Sequence, residues 1–523
     1  MSNDEVADPT RRTVVGLAGG AVAVAATDRA SGAIRTPYPV SASDLTAMDA
    51  VTLAGVIRTG RASSVEVMAA FLDRIDQVNP AVNAIVALQP REVLLAQARE
   101  ADAKRARGEP LGPLHGLPHA VKDLQSVKGI VSTRGSPIFK DFVPTADAPM
   151  VERLRRAGAI IIGKTNAPEF GLGSHTYNAV YGLTRNPYDL TKSAGGSSGG
   201  AAVALATRML PLADGSDFGG SLRNPAGWNN VLGFRPSFGR VAAGGEEVWF
   251  PGMSVNGPMA RSVPDLALLL SVQAGHDDRA PLSMEPASMD FTGQLSADLR
   301  GKRIGWLGDF GGSTPCEPGL LDVCRTALKT FEDLGCEVDD VQADMAIEPV
   351  WTAMLKLRAW QAGGGILDLY NDPARRALLK PEAIFEVEGA LRLSAMEVRA
   401  ASVVRSQWYN SVRRLFQRFD YLLAPTAQVF PFDAAQDWPH EIAGTPMRTY
   451  IEWQKAQFLI TMTGCPALAV PAGFNAAGPN SPGLPIGVQI VAPVWGERAC
   501  LKLAHAYMLA SDRVRLRPPP EMG

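Results

Sequence analysis

The sequence predicts an α/β protein with a largely parallel or mixed sheet. Three observations carry that expectation. Short apolar runs of strand type alternate with segments of helical period. The alternation is present on both sides of a Gly/Ser-rich centre. No repeat or low-complexity linker divides the body, so the 523 residues read as one large domain behind a short N-terminal segment, although length alone would suggest three or four domains.

The elements follow in order. Residues 43–106 are mostly helical. Leu53, Val56 and Ile57 fit one face, and Ser63 or Ser64 can cap a helix through Val67, Phe71, Leu72 and Ile75 that Asn79-Pro80 should break. Residues 114–121 read as a strand, 151–157 as a helix and 159–162 as a buried strand. Residues 171–240 are rich in Gly, Ser, Asn and Pro and read as loops around a small-residue helix at 201–207, which is where a scaffold tends to carry chemistry. Strands are expected again at 302–307, 337–341, 421–424, 467–470 and 486–491. Helices are expected at 320–334 and 497–509, and mostly helical chain at 344–418.

Composition narrows the function. Hydrophobic residues make up 46% and charged residues 20%, which excludes wholesale disorder. Fifty-one basic against 53 acidic residues gives a net charge of −2, with no basic surplus for nucleic acid. No run of about 20 apolar residues lies in the body, so stable membrane insertion is not expected. The five cysteines include no CxxC and the six histidines no HExxH, so neither a metal site nor a cofactor is expected. Residues 1–32 hold Arg11-Arg12 and an uncharged stretch from Gly16 to Ala26. They read as a twin-arginine export signal, with a disordered or helical extension as the alternative. Use of that signal would put the protein in the periplasm or outside the cell; otherwise it is cytoplasmic. Residues 33–523 then form the single large domain.

Three motifs compete. Residues 158–165 satisfy GxxxxGK[ST] to the letter, but the variable positions are Ala and three Ile, which favour a strand over a phosphate-wrapping loop. Residues 196–200 satisfy GxSxG, yet the preceding 188–193 are polar and do not read as a buried strand; His440 or His505 would have to serve as base. The third reading joins two serine loops, 195–200 and 215–225, to Lys122 at the end of an apolar run. Burial would lower the lysine pKa, and a neutral lysine can act as the base that a serine nucleophile needs.

These residues resemble the amidase signature family of serine hydrolases. The resemblance rests on Gly-Gly-Ser-Ser-Gly-Gly at 195–200, Gly-Ser-Asp-x-Gly-Gly-Ser-x-Arg-x-Pro at 215–225 and Gly-Leu-Pro-x-x-Val-Lys-Asp at 116–123. Lys122 precedes Ser197 by 75 residues and Ser197 precedes Ser221 by 24. It implies a single mixed sheet covered by helices on both faces. It also implies an amide hydrolase in which Ser221 is acylated, Ser197 relays the proton and Lys122 is the base. The N–H groups of Phe218, Gly219, Gly220 and Ser221 would form the oxyanion hole, and Ser198, Asp217 and Arg223 would support the loops. The substrate would be a small-molecule amide, aryl or aliphatic, with peptide amides and esters as alternatives, and a homodimer is compatible with the reading. The other reading is a glutaminase-type subunit of a tRNA-dependent amidotransferase. Two departures bear on these. Phe218 stands where the family usually has a small polar residue, and His175-Thr176-Tyr177-Asn178 departs from the Thr-Glu-Asn form of glutamine-specific members. Segments 170–182, 245–256, 350–365 and 425–455 are expected to build the pocket, with Trp249, Phe250, Trp351 and Trp360 as apolar candidates, although tryptophans at such positions more often belong to the core.

Overall fold

The computed structural model describes residues 41–250, 252–285, 290–476, 483–511 and 517–520. The export-type segment lies outside these residues. The described residues belong to a unit that starts at Pro39.

Eight strands form a mixed sheet in the spatial order 337–340, 303–306, 421–425, 485–491, 467–474, 232–235, 255–260 and 213–217. Arg303–Trp306 runs parallel to both of its neighbours, and the remaining pairs are antiparallel. A three-stranded sheet, ordered 85–86, 160–165, 118–122, lies beside the 213–217 edge. Helices cover both faces. Ile486, Val488 and Ile490 pack into one core with Leu320, Phe331, Leu501 and Tyr507 of the helices Leu320–Asp333 and Glu497–Ala510. The alternate residues Gly487 and Gln489 meet the short helix Arg223–Trp228 on the opposite face, as the period of two requires. Among the described residues no helix is long and apolar enough to cross a membrane.

Two expectations need correction. The helix Ser64–Val82, capped by a Ser63/Glu66 capping box, contains Pro80 and ends only at Asn83, which is left-handed. Asn79 supplies the stop through its side chain, whose Oδ1 accepts the N–H groups of Ala84 and Ile85 and whose Nδ2 donates to the Ile85 carbonyl. The second correction concerns the centre, where the strands Ala213–Asp217 and Leu232–Arg235 lie in chain expected to be loop, and Val255–Ala260, which the sequence left unassigned, pairs with both. Ladder pairing holds them in place of local propensity, including a register that sets Pro258 opposite Asp214.

Candidate active site

Strand Pro118–Lys122 ends at the lysine, and every residue of it is buried. Lys122 is fully buried, and its Nζ donates to Ser197 Oγ at 2.7 Å and Ser198 Oγ at 2.8 Å. It also reaches Ser216 Oγ at 3.0 Å and the Ser216 carbonyl at 3.3 Å. Burial lowers its pKa from the ordinary 10.5 to about 7, against the opposing pull of Asp214 and Asp217. A lysine surrounded by hydroxyl oxygens and close to neutrality can accept a proton from one of them.

The Ser197 loop is fixed from several sides. Ser174 Oγ donates to the Gly196 carbonyl at 2.5 Å and Thr176 Oγ1 to the Gly195 carbonyl at 2.8 Å. The Gly196–Ser197 peptide bond is cis. The Ser198 N–H donates to the Ser221 carbonyl at 3.2 Å, which joins the two serine loops. Ser221 itself is 8% exposed and lies between the strand Ala213–Asp217 and the helix Arg223–Trp228.

Asp217 organises the turn before Ser221. Its carboxylate accepts the N–H groups of Gly220 at 2.8 Å and Leu222 at 3.1 Å. Burial alone would raise its pKa, but Arg223 and Arg235 hold it well below the usual carboxylate range. All five N–H groups of the buried Arg223 are used. Two go to Asp217, and the others to Thr461 Oγ1, Gln489 Oε1 and the Gln457 carbonyl. The Gly220 N–H, expected to face an oxyanion, is engaged by Asp217. The two glycines are dictated by space and torsion. A Cβ on Gly219 would lie 2.1 Å from the Phe458 ring, and Gly220 has φ +118° with Gln457 Cβ 2.8 Å from where its own Cβ would be.

Phe218 packs outward from this turn. Its ring lies edge-on to Phe458 at 6.5 Å and 5.1 Å from the guanidinium carbon of Arg358. The buried Arg358 is held by Glu386 at 2.7 Å and by the Tyr450 hydroxyl at 2.8 Å. Trp351 is core behind Phe458, whereas Trp249 and Phe250 are exposed and Phe250 meets Trp360 edge-on.

The rival motifs fall into other roles. Ile160–Thr165 is a wholly buried strand. Lys164 bonds the Gln125 carbonyl and Ser132 Oγ and lies 3.7 Å from Asp123, with no open loop for phosphate. Residues 189–193 do form a strand, but in a two-stranded hairpin. His440 is exposed and bonded to Asp437, whereas the side chain that meets Ser197 and Ser198 is that of Lys122. Sequence reasoning missed Ser216, Arg235, His119 and Asp214. Ser216 lies inside the 215–225 motif and Asp214 one residue before it, and His119 occupies an unassigned position of the 116–123 motif. No signal in the sequence marked Arg235.

The family model described as Amidase matches residues 66–501. The chain belongs to the amidase family. Among curated relatives, this amidase-family chain is 34% identical over 448 residues to an acylamidase of Rhodococcus erythropolis, covering 85% of this chain and 91% of the relative. It is also 34% identical over 482 residues to a glutamyl-tRNA(Gln) amidotransferase subunit of Chloroflexus aurantiacus, covering 88% and 96%. Among solved structures it resembles a bacterial aryl acylamidase of the amidase signature enzymes, with a TM-score of 0.83 and 29% identity over 90% of this chain and 99% of that one. The family, the acylamidase relative and the shared fold make it an amide hydrolase of this family.

Proposed function

We propose that the protein hydrolyses carboxylic amides through an acyl-enzyme on Ser221. The observation that carries the proposal is the 2.7 Å bond between Ser197 Oγ and the fully buried Lys122 Nζ. Lys122, neutral near pH 7, takes the Ser197 proton as Ser197 takes that of Ser221, and the Ser221 oxygen attacks the amide carbonyl. The same relay in reverse protonates the leaving amine. Water then enters by the same route, releasing the carboxylate and restoring Ser221. We assign the oxyanion hole to the N–H groups of Phe218, Gly219 and Ser221, since Asp217 engages that of Gly220. One such donor typically contributes about 3 kcal/mol to lowering the barrier. Ser198 steadies Lys122, and Asp217 with Arg223 shapes the turn.

For the substrate we infer an aryl or other bulky acylamide. Phe218 and the Phe250–Trp360 pair offer apolar surface, and relatives include an acylamidase and an aryl acylamidase. Hydrolysis of an anilide, a short aliphatic amide, a peptide amide and glutamine by the chain alone tests this, with Ser221→Ala alongside. Turnover led by the anilide and lost in the variant supports the reading. Turnover that survives Ser221→Ala refutes it. The second reading, glutamine hydrolysis within an amidotransferase, is favoured by the amidotransferase relative from Chloroflexus aurantiacus. It would appear as glutamine turnover only when partner proteins are supplied. Export through residues 1–32 is a separate proposal, tested by fusing that segment to a reporter active only after export.

A further inference from the structure

A second buried pair lies behind Lys122, and the proposed chemistry does not use it. His119 and Lys122 belong to one strand, and Asp214 belongs to the strand beside it that leads into the Ser221 turn. Asp214 Oδ1 is 2.9 Å from His119 Nε2, and Oδ2 accepts the Lys122 backbone N–H at 3.3 Å. His119 is 1% exposed and Asp214 is fully buried. One carboxylate thus spans the seam between the two sheets at the residue that carries the base. Lys122 Nζ ties the same two strands again through Ser216.

The charges around Lys122 give Asp214 particular weight. Asp214 and Asp217 face it from the 213–217 strand. Asp217 is matched by two guanidinium groups, Arg223 and Arg235, which offset its charge. On the other side Lys164 is paired with Asp123. Ser197, Ser198 and Ser216 contribute only hydroxyl and carbonyl groups. Asp214 pairs directly with His119 and also faces Lys164 on the neighbouring strand, but no guanidinium pairs with it, and it is the carboxylate whose field Lys122 feels most.

We propose that Asp214, oriented by His119, is a positioning residue that holds Lys122 against Ser197 and sets how readily the lysine gives up its proton. The inference rests on Lys122 being the base. It requires a sign. A carboxylate favours the ammonium form, so removing its charge makes Lys122 easier to deprotonate.

The test is the pH profile of kcat/KM from pH 5 to 9 for the wild type, Asp214→Asn, His119→Gln, His119→Leu and Lys122→Met. Asp214→Asn should move the acidic limb down by about one pH unit. His119→Leu should lower kcat about tenfold or more with little change in KM, and His119→Gln, which keeps a donor near Nε2, should restore most of that loss. A limb left in place by Asp214→Asn overturns the inference. Equal kcat in His119→Leu and His119→Gln also overturns it, and this comparison stands even where Asp214→Asn yields no folded protein. If the wild type shows no limb that depends on Lys122, the reading of Lys122 as base fails and takes this inference with it. If that limb exists and Asp214→Asn leaves it unmoved, this inference alone fails.

Discussion

Protonating Lys122 should switch the enzyme off, and the structure sets where. With the lysine pKa lowered to about 7 by burial, only the neutral fraction can start the relay. At pH 5 that fraction is about one in a hundred, so kcat/KM should be about 100-fold below its plateau and rise tenfold per pH unit up to about pH 7. The same displacement bears on stability. From 10.5 down to about 7 is about 3.5 units, which at ~1.4 kcal/mol per unit is about 5 kcal/mol. Between these pH values the unfolded chain holds a proton that the folded one does not. Stability from this group is therefore full above pH ~10.5 and is lost as pH falls through about 7. Lys122→Met should abolish turnover and, below pH 7, remove that cost, less about 1–3 kcal/mol for each oxygen left without a donor. The assays are an anilide pH–rate profile and denaturant unfolding of both proteins at pH 6 and 9. A flat rate profile between pH 5 and 8 would refute the reasoning. So would a stability difference between the two proteins that does not change with pH.

Three further outcomes follow from the geometry. Gly219→Ala places a methyl inside the Phe458 ring, so unfolding free energy should fall by about 1–3 kcal/mol and kcat by about 100-fold or more, measured by denaturant titration and anilide turnover. Arg223→Ala leaves the buried Asp217 carboxylate with Arg235 alone and should cost about 3–5 kcal/mol in a denaturant titration. Arg223→Lys should not rescue it, because one ammonium cannot replace five directed N–H groups. Phe218→Thr removes the ring over Arg358 and its apolar surface, which should lower stability by about 1 kcal/mol and lower kcat/KM for bulky acyl groups relative to acetyl ones, read from an anilide series.

Much of the scaffold was legible because its strands are apolar and β-branched. Ile160–Thr165 and Pro485–Val491 announce themselves that way, Tyr421–Pro425 by its apolar run alone, and the first of these also excluded the phosphate loop. The strands next to Ser221 do not. Asp214, Gly215 and Ser216 are poor strand formers, and Val255–Ala260 contains both Gly257 and Pro258; their extended form comes from partners far away in sequence. The same division runs through the site. The serine loops and Lys122 were readable because glycines and serines cluster around them. The Arg235 contact with Asp217 and the His119–Asp214 pair were not, since they join segments that meet only in the folded chain. Trp351, a pocket candidate by composition, followed the usual habit of tryptophan instead: it is 1% exposed and fills the core.

The central claim is that Ser221 carries the acyl group. Rapid quenching of the protein during anilide turnover, followed by peptide mass spectrometry, reads that directly. The account predicts an acyl mass on the peptide containing Ser221, absent in Ser221→Ala, which should also lose turnover. An acyl group on any other residue, or undiminished turnover by Ser221→Ala, would contradict it.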